Sequence, residues 1–313
     1  MKSNRDALRD SVEIALASLH QDRKPLLLAS WNGLLYYVLA DDWPALNLPK
    51  DRLFKTLKDA RSAEAWRKVP PPGSCIDFTG PGFDLIRRLL TRYPEAMLLD
   101  VGANYGREGI RYAMYRRELG LPVSDERPAV LAFEPGPIRH LAAVNIDLHQ
   151  TPEVRLLPYA AGAENSYTQF CISDAHSLGG SMAIGPHADW KALTVKTTRL
   201  DTILNEFCCD TPIFLKVDTQ GAEEMIISGM SDYLSEHAIV GIFEFAPTLM
   251  ERIGDTRAFL SRLLEIGAVY DLGMKHDRRD QLTYDEIATL IEKVKAEKIR
   301  CTDLLVIDHR LKI

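Results

Sequence analysis

Short apolar runs alternate with amphipathic stretches along most of the chain beyond residue 95. Five of these runs predict strands, at residues 96–101, 129–134, 154–160, 213–218 and 238–245. Helical patterns such as REGIRYAMYRREL and GPIRHLAAVNIDL lie between most of them. Because the runs are apolar throughout rather than at every second position, they predict a parallel sheet that is covered by helices on both faces.

Two further strands and a helix are predicted near the C-terminal end. The segments AVYDLGM and TDLLVID have the apolar character of strands, and YDEIATLIEKVKAEK between them has helical periodicity. The chain beyond residue 95 is therefore typical of an α/β protein.

The N-terminal part follows a different pattern. Apolar residues at helical spacing predict an amphipathic helix close to the start of the chain, and these are Leu8, Val12, Ala15 and Leu19. More helix is expected over residues 51–69. The apolar run at 25–43 is interrupted by an Asn-Gly pair, so it is too short to span a bilayer and we expect it to be buried.

Prolines and glycines at residues 69–83 break regular structure and mark a boundary. We therefore divide the chain into an N-terminal helical region, residues 1–75, and a main domain, residues 76–313. The N-terminal region is expected to cap a binding site or to form the interface of a homo-oligomer.

Composition narrows the class of protein. Hydrophobic residues make up 46% and charged residues 26% of the 313 residues, as in ordinary globular proteins. The formal net charge of −6 argues against a general attraction of the protein to nucleic acid or to an anionic membrane. The five cysteines are odd in number and scattered, and the charged N-terminal stretch lacks the apolar core of a signal peptide. These features predict a cytoplasmic protein without a membrane span.

The stretch LLDVGANYGREG, at residues 98–109, joins a predicted strand to a predicted helix through a glycine-containing turn. A dinucleotide fold would prefer the spacing GxGxxG, whereas here three residues separate Gly102 from Gly106. Asp100 at the strand tip would repel a pyrophosphate, but it suits the ammonium and sulfonium groups of S-adenosylmethionine. Glu134, at the end of the next strand, can accept hydrogen bonds from ribose hydroxyls, as an acid also does in NAD enzymes.

The ordered set of motifs resembles one family. The segments LLDVGANYGREGIRYA, VLAFEPGPIRHLAAVNI, YAAGAENSYTQFCIS, VKTTRLDTIL, FLKVDTQGAEEMIISGM and GIFEFAP follow one another as in FkbM-type methyltransferases. DVGANxG, FEP and KxDxQGAE are the most specific pieces, and the resemblance covers about residues 83–310. It implies a Rossmann-like class I methyltransferase fold, a seven-stranded, mostly parallel sheet whose last strand is antiparallel. It also implies S-adenosylmethionine as the donor and usually a hydroxyl acceptor, often on a sugar or a natural product.

The resemblance also assigns roles to positions of this sequence. The methionine part of the donor would be wrapped by Asp100, Gly102, Asn104 and Gly106. The ribose would be held by Glu134, with Pro135 beside it, and the adenine would lie against Tyr159, Ala160 and Ala161. Asp218 and Glu244, at the tips of the fourth and fifth predicted strands, would both point toward the methyl end of the donor. At Gln220 the sequence departs from the family, where glutamate is frequent, so no acid is available at that position.

An alcohol must lose its proton during methyl transfer, which requires a general base or a metal. Asp218 is the first candidate for the catalytic base, Glu244 the second, and His176 the third, in a loop at 173–190 that also contains His187. A divalent cation held by both acids and one histidine stays open. Lys216 shares a strand face with Asp218 and is expected to pair with it. Glu223 stands near a helix start, where a structural role is at least as reasonable as a catalytic one.

The sequence therefore predicts an S-adenosylmethionine-dependent O-methyltransferase that acts on a carbohydrate or a glycosylated small molecule. Three alternatives remain: an N-methyltransferase acting on an amino sugar or a peptide, an inactive donor-binding interaction module, and an NAD-dependent oxidoreductase. The missing GxGxxG motif disfavours the last of these.

Overall fold

The computed structural model describes residues 26–31, 34–39, 53–55, 81–122, 127–173, 180–183, 185, 190–207, 211–273, 280–297 and 300–312. The strands are β1 (Leu26–Trp31), β2 (Leu34–Leu39), β3 (Leu53–Phe54), β4 (Leu98–Val101), β5 (Val130–Phe133), β6 (Val154–Leu157), β7 (Ala160–Ala161), β8 (Ser166–Ser173), β9 (Trp190–Thr198), β10 (Ile213–Val217), β11 (Ile239–Phe245), β12 (Gly267–Asp271), β13 (Asp280–Gln281) and β14 (Thr302–Asp308). The helices are α1 (Pro81–Arg92), α2 (Arg107–Glu118), α3 (Arg139–His149), α4 (Leu200–Glu206), α5 (Glu223–Ser228), α6 (Ser231–Glu236), α7 (Pro247–Met250), α8 (Thr256–Ile266) and α9 (Ile287–Ala296). No helix in the described part of the chain is both long enough and apolar enough to cross a membrane.

The main sheet has the strand order β13-β12-β14-β11-β10-β4-β5-β6. Strands β11, β10, β4, β5 and β6 pair in parallel, whereas β14 is antiparallel to both β11 and β12. The mixed α/β fold with a mostly parallel sheet and an antiparallel last strand therefore agrees with the sequence prediction.

The predicted number of seven strands differs from the eight that the described residues form. The extra strand is β13, whose two residues pair with Tyr270 and Asp271 at the edge of the sheet. Both residues of β13 are exposed and polar, so no run of apolar residues marks this strand in the sequence.

The core consists of two layers, one on each face of the main sheet. In β5, Val130 and Ala132 belong to one buried cluster, whereas Leu131 and Phe133 belong to the other. Successive side chains of a strand point to opposite faces, so a strand that is buried on both sides must be apolar throughout. This arrangement leaves the carboxyl ends of β4, β5, β10 and β11 along one edge of the sheet.

A second sheet, of order β7-β9-β8, was not expected from the sequence. The predicted strand 154–160 divides at Pro158 and Tyr159: β6 stays in the main sheet, and β7 pairs with β9 in the second one. Proline cannot donate a backbone hydrogen bond, so it interrupts a ladder at this point.

The prediction of an N-terminal helical region is wrong for the residues that the structure describes there. Strands β1 and β2 form an antiparallel hairpin with Trp31 opposite Leu34, and β3 pairs with the other side of β1. An Asn-Gly pair between two apolar runs is a strong signal for a two-residue hairpin, although the sequence analysis used it only as an interruption of the run at 25–43. The helix predicted around Leu8–Leu19, most of the helix at 51–69 and the boundary at 75–76 lie outside the described residues.

Candidate functional site

The loop between β4 and α2 is held close to the tip of β10. A Cβ atom at Gly102 would lie 1.9 Å from the backbone oxygen of Asp218, and its φ is +83°, so no other residue type fits there. The N–H groups of Gly102 and Ala103 both donate to the oxygen of Phe133, at 3.1 and 2.9 Å. Asn104, with φ of +50°, continues the turn. The tips of β4, β5 and β10 are thereby joined through their backbones.

Glu134 follows β5 and anchors two backbone turns. Its Oε2 accepts from the N–H of Asn104 at 2.9 Å, and its Oε1 accepts from the N–H of Gly136 at 2.8 Å. The side chain is buried, and this burial raises the pKa of Glu134 to about 7, although both hydrogen bonds oppose the shift. Each carboxylate oxygen still has an acceptor position for a further hydrogen bond.

Asp100 lies beneath the loop rather than on its surface. The side chain is fully buried, and its Oδ2 accepts from the N–H of Gly109 in α2 at 3.2 Å. Its Oδ1 lies 3.6 Å from Nζ of Lys216 and accepts no hydrogen bond from the residues that the structure describes. Burial raises the pKa of Asp100 to about 6 against the attraction of Lys216. The carboxyl group therefore supports the first turn of α2 from below.

Lys216 connects the loop to the acidic end of β10. Its Nζ donates to the oxygen of Gly102 at 3.1 Å and lies 3.4 Å from Oδ2 of Asp218. Burial alone would lower the pKa of Lys216, but the carboxylates of Asp218 and Asp100 more than offset this effect, so the pKa lies above its ordinary value. The predicted pairing of Lys216 with Asp218 is confirmed, and Asp100 is a second partner.

Gln220 joins the two acids that the sequence selects for catalysis. Its Nε2 donates to Oδ1 of Asp218 at 3.2 Å and to Oε2 of Glu244 at 2.6 Å. The side chain of Asp218 is 44% exposed. Burial, followed by the charge of Asp218, raises the pKa of Glu244 well above its ordinary value. The sequence shows only that Gln220 lacks a charge, whereas the structure brings its amide between two carboxyl groups.

The side chain of Glu223 accepts hydrogen bonds from the turn that precedes its own helix. Its Oε1 accepts from the N–H of Thr219 at 3.0 Å, from the hydroxyl of Thr219 at 2.8 Å and from the N–H of Gly221 at 3.3 Å. These bonds close the turn between β10 and α5, which also fixes the backbone of Gln220 at a φ of +58°.

The residues expected beside the adenine lie in and before the second sheet. Ala160 and Ala161 are buried in β7, and the ring of Tyr159 lies 4.6 Å from Nζ of Lys196. Pro135 precedes Gly136, where a Cβ atom would lie 3.4 Å from the ring of Phe170. Phe170 and Gly136 both lie in segments that carry the family resemblance, but the sequence analysis singled out neither of them.

The loop at 173–190 is described only in part. His176 and His187 lie outside the described residues. The hydroxyl of Ser181 donates to the backbone oxygen of Gln220 at 2.7 Å and accepts from the N–H of Ala183 at 2.9 Å. This part of the loop therefore packs against the turn between β10 and α5, residues 218–222, which we call the acidic turn. Within the described parts of the chain, no three acidic, histidine or cysteine side chains are placed to hold a metal ion.

Comparison with known proteins agrees with the motif order. The Methyltransferase FkbM domain matches residues 100–272, more than half of the chain. A comparison of this chain with the curated proteins found no match.

Two solved structures show weak similarity. One is geranyl diphosphate C-methyltransferase from Streptomyces coelicolor A3(2), in complex with Mg2+, geranyl diphosphate and S-adenosyl-L-homocysteine; it is 14% identical, with 73% of this chain and 78% of that chain covered and a TM-score of 0.35. The other is an O-methyltransferase family protein from Burkholderia thailandensis; it is 8% identical, with 97% of this chain and 70% of that chain covered and a TM-score of 0.30.

The family assignment consequently follows from the domain match, together with the strand order and the glycine turn of this chain. The protein belongs to the FkbM methyltransferase family and is a methyltransferase that uses S-adenosylmethionine as its methyl donor.

Proposed function

We propose that this protein transfers a methyl group from S-adenosylmethionine to a hydroxyl group of a carbohydrate or a glycosylated small molecule. The observation that carries the proposal is the pair of carboxyl groups, Asp218 and Glu244, joined by Gln220 beside the Gly102 turn. An alcohol acceptor needs such a group, because its proton must leave as the new bond forms.

The donor residues proposed from the sequence have a chemistry that fits the donor. Glu134 has acceptor positions left for a ribose diol, and the backbone turn at Gly102 and Asn104 leaves no side chain at the point closest to Asp218. Asp100 acts from below, where its contact with Gly109 holds the start of α2 in place. Of the three residues proposed for the adenine, the partly buried Tyr159 has an exposed part of its ring to offer, whereas Ala160 and Ala161 are buried in β7.

We propose different tasks for Asp218 and Glu244 in the reaction with the acceptor. The donor supplies an electrophilic methyl group on sulfur. We assign removal of the hydroxyl proton to Glu244, whose carboxyl group is held by Gln220 beside Asp218. Burial and the charge of Asp218 raise the pKa of Glu244, which makes its ionised form a stronger proton acceptor. The more exposed Asp218 accepts a hydrogen bond from the acceptor and orients it. Gln220 keeps both carboxyl groups in place, and His176 stays a further candidate for the base.

The first test is a calorimetric titration with S-adenosylhomocysteine. The wild-type protein should bind it, and Glu134→Gln should weaken binding about tenfold or more, because a carboxylate that binds a diol makes charge-assisted hydrogen bonds. Glu153→Gln is the matched control, since Glu153 is also buried but pairs with Arg117. Failure of the wild-type protein to bind, with binding of NAD instead, would favour an oxidoreductase.

The second test is a screen of hydroxylated glycans and amino sugars, with methylated products identified by mass spectrometry. With a hydroxyl acceptor, Glu244→Gln should lower kcat by about 10²-fold or more, and Asp218→Asn should mainly raise KM. Transfer to an amine that survives Glu244→Gln would establish the N-methyltransferase instead. Donor binding without turnover on any acceptor would favour the interaction module.

A further inference from the structure

Strand β2 presents an open edge to the main domain, because it is the outer strand of the three-stranded sheet β2-β1-β3. In an antiparallel pair, every second residue directs its N–H and C=O away from the neighbouring strand. Leu35, Tyr37 and Leu39 are three such residues. Each of them is hydrogen-bonded to a side chain of the main domain rather than to another strand.

The partners of these backbone groups lie on α3 and in the loop between β4 and α2, residues 102–106, which we call the donor turn. Nε2 of His149 donates to the oxygen of Leu35 at 2.7 Å. The amide of Asn145 pairs with Tyr37, accepting from its N–H at 2.7 Å and donating to its oxygen at 3.3 Å. The hydroxyl of Tyr105 accepts from the N–H of Leu39 at 3.3 Å. Side chains thus complete the edge of β2 in place of a further strand.

Tyr105 is the residue that connects this edge to the donor turn. It stands between Asn104 and Gly106, the two positions with φ of +50° and +76°. Its backbone oxygen accepts from Nδ2 of Asn145 at 3.0 Å, so Asn145 contacts the hairpin and the donor turn at once. Both Asn145 and Tyr105 are buried, at 0% and 6% exposure.

We infer that the N-terminal hairpin β1–β2 is a positioning element for the donor turn, acting through Tyr105 and Asn145. This inference rests on the proposed donor pocket at Gly102–Gly106. The hairpin holds the turn at Tyr105 in the geometry that Asn104 and Gly106 require. Binding of the donor and docking of the hairpin are therefore coupled, and each strengthens the other by the same factor.

The test compares Tyr105→Phe with Tyr112→Phe in a titration with S-adenosylhomocysteine. Both substitutions remove one buried hydroxyl from the same apolar cluster, but the hydroxyl of Tyr112 donates to the oxygen of Ala96, at 3.0 Å and away from the turn. Tyr105→Phe should raise the Kd by about three- to tenfold, the range expected for one hydrogen bond. Both substitutions should lower the thermal midpoint to a similar degree, but Tyr112→Phe should leave the Kd unchanged.

A second readout is hydrogen exchange of the backbone amide of Tyr37, measured with and without S-adenosylhomocysteine. In the wild-type protein and in Tyr112→Phe the ligand should slow exchange at this amide. In Tyr105→Phe the slowing should be reduced, which a purely structural contribution to stability would not cause.

Two results would overturn the inference in distinguishable ways. Binding by the wild-type protein, with equal Kd values for both variants and no effect of the ligand on Tyr37, would refute the coupling and leave the donor pocket intact. Absence of binding to the wild-type protein would refute the donor pocket and the coupling together.

Discussion

Donor affinity should increase with pH, and Glu134 is the reason. Burial raises the pKa of Glu134 to about 7 in the donor-free protein. A ribose diol donates hydrogen bonds, so it binds the ionised carboxylate better than the protonated one. Below pH 7 most molecules must release a proton before they bind the donor, and this requirement disappears as the pH rises through 7.

The size of the effect follows from the fraction of ionised Glu134. One pH unit below its pKa about a tenth of the carboxyl groups are ionised, and one unit above about nine tenths are. Between pH 6 and pH 8 the affinity for S-adenosylhomocysteine should therefore rise about tenfold, equivalent to about 1.4 kcal/mol.

Calorimetry at several pH values, in two buffers with different heats of ionisation, measures both the affinity and the protons released. Glu134→Gln should weaken binding and remove the main part of the pH slope, whereas Glu153→Gln should retain it. A wild-type affinity that is constant or falls from pH 6 to pH 8 would refute this reasoning, as would a slope that persists in Glu134→Gln.

The same group links stability to pH in the donor-free protein. The folded-state pKa of Glu134 lies above its ordinary value of 4.5. Its contribution to stability is therefore fully present below about pH 4.5 and is lost as the pH rises through 7. The loss amounts to about 3 kcal/mol in total. Donor binding should recover part of it, so the thermal shift caused by S-adenosylhomocysteine should be larger at pH 8 than at pH 6.

Three further substitutions test the acidic turn and the glycine contact. Gln220→Glu places a third carboxylate between Asp218 and Glu244 and should lower the free energy of unfolding by about 1–3 kcal/mol at pH 8, and less at pH 5, in denaturant titrations. Glu223→Ala should cost about 2–4 kcal/mol by the same measurement, because it leaves the N–H groups of its turn without their acceptor, whereas Glu223→Gln should cost little. Gly102→Ala should cost about 3–5 kcal/mol, since its Cβ would collide with the backbone.

Each of these predictions has a matched comparison. Gln220→Met removes the same hydrogen bonds without a charge, and an equal pH dependence of both variants would contradict the argument from repulsion. For Gly102 the comparison is Gly106→Ala, which has a similar φ of +76° but no contact shorter than 3.4 Å; equal costs for the two would show that the clash is absent. A loss of S-adenosylhomocysteine binding in Glu223→Gln would contradict its structural assignment.

The sequence predicted the elements whose information is local. The turn at Gly102 and the strand end before Glu134 could be predicted because each is read from about a dozen consecutive residues, while the roles of both residues toward the donor stay predictions. Residues 53–54, which form β3, were expected to be helical because short apolar runs suit both structures, whereas the run at 25–43 was expected only to be buried and its two strands were not predicted. Asn145 could not be found, since its partner Tyr37 lies 108 positions away and an asparagine in an amphipathic helix gives no sign of such a contact. Strand β13 was missed because pairing, and not apolar character, defines it.

The apolar cluster that β2 shares with the main domain has a practical consequence for anyone shortening this chain. Leu34, Tyr36 and Val38 of β2 pack in the same cluster as Leu98 and Ile110 of the main domain, although residues 100–272 alone define the matched family domain. A fragment that begins at Pro81 would expose that apolar surface, together with the polar groups of α3 that now complete β2. Such surfaces promote self-association, so the fragment should aggregate even though it retains every motif of its family.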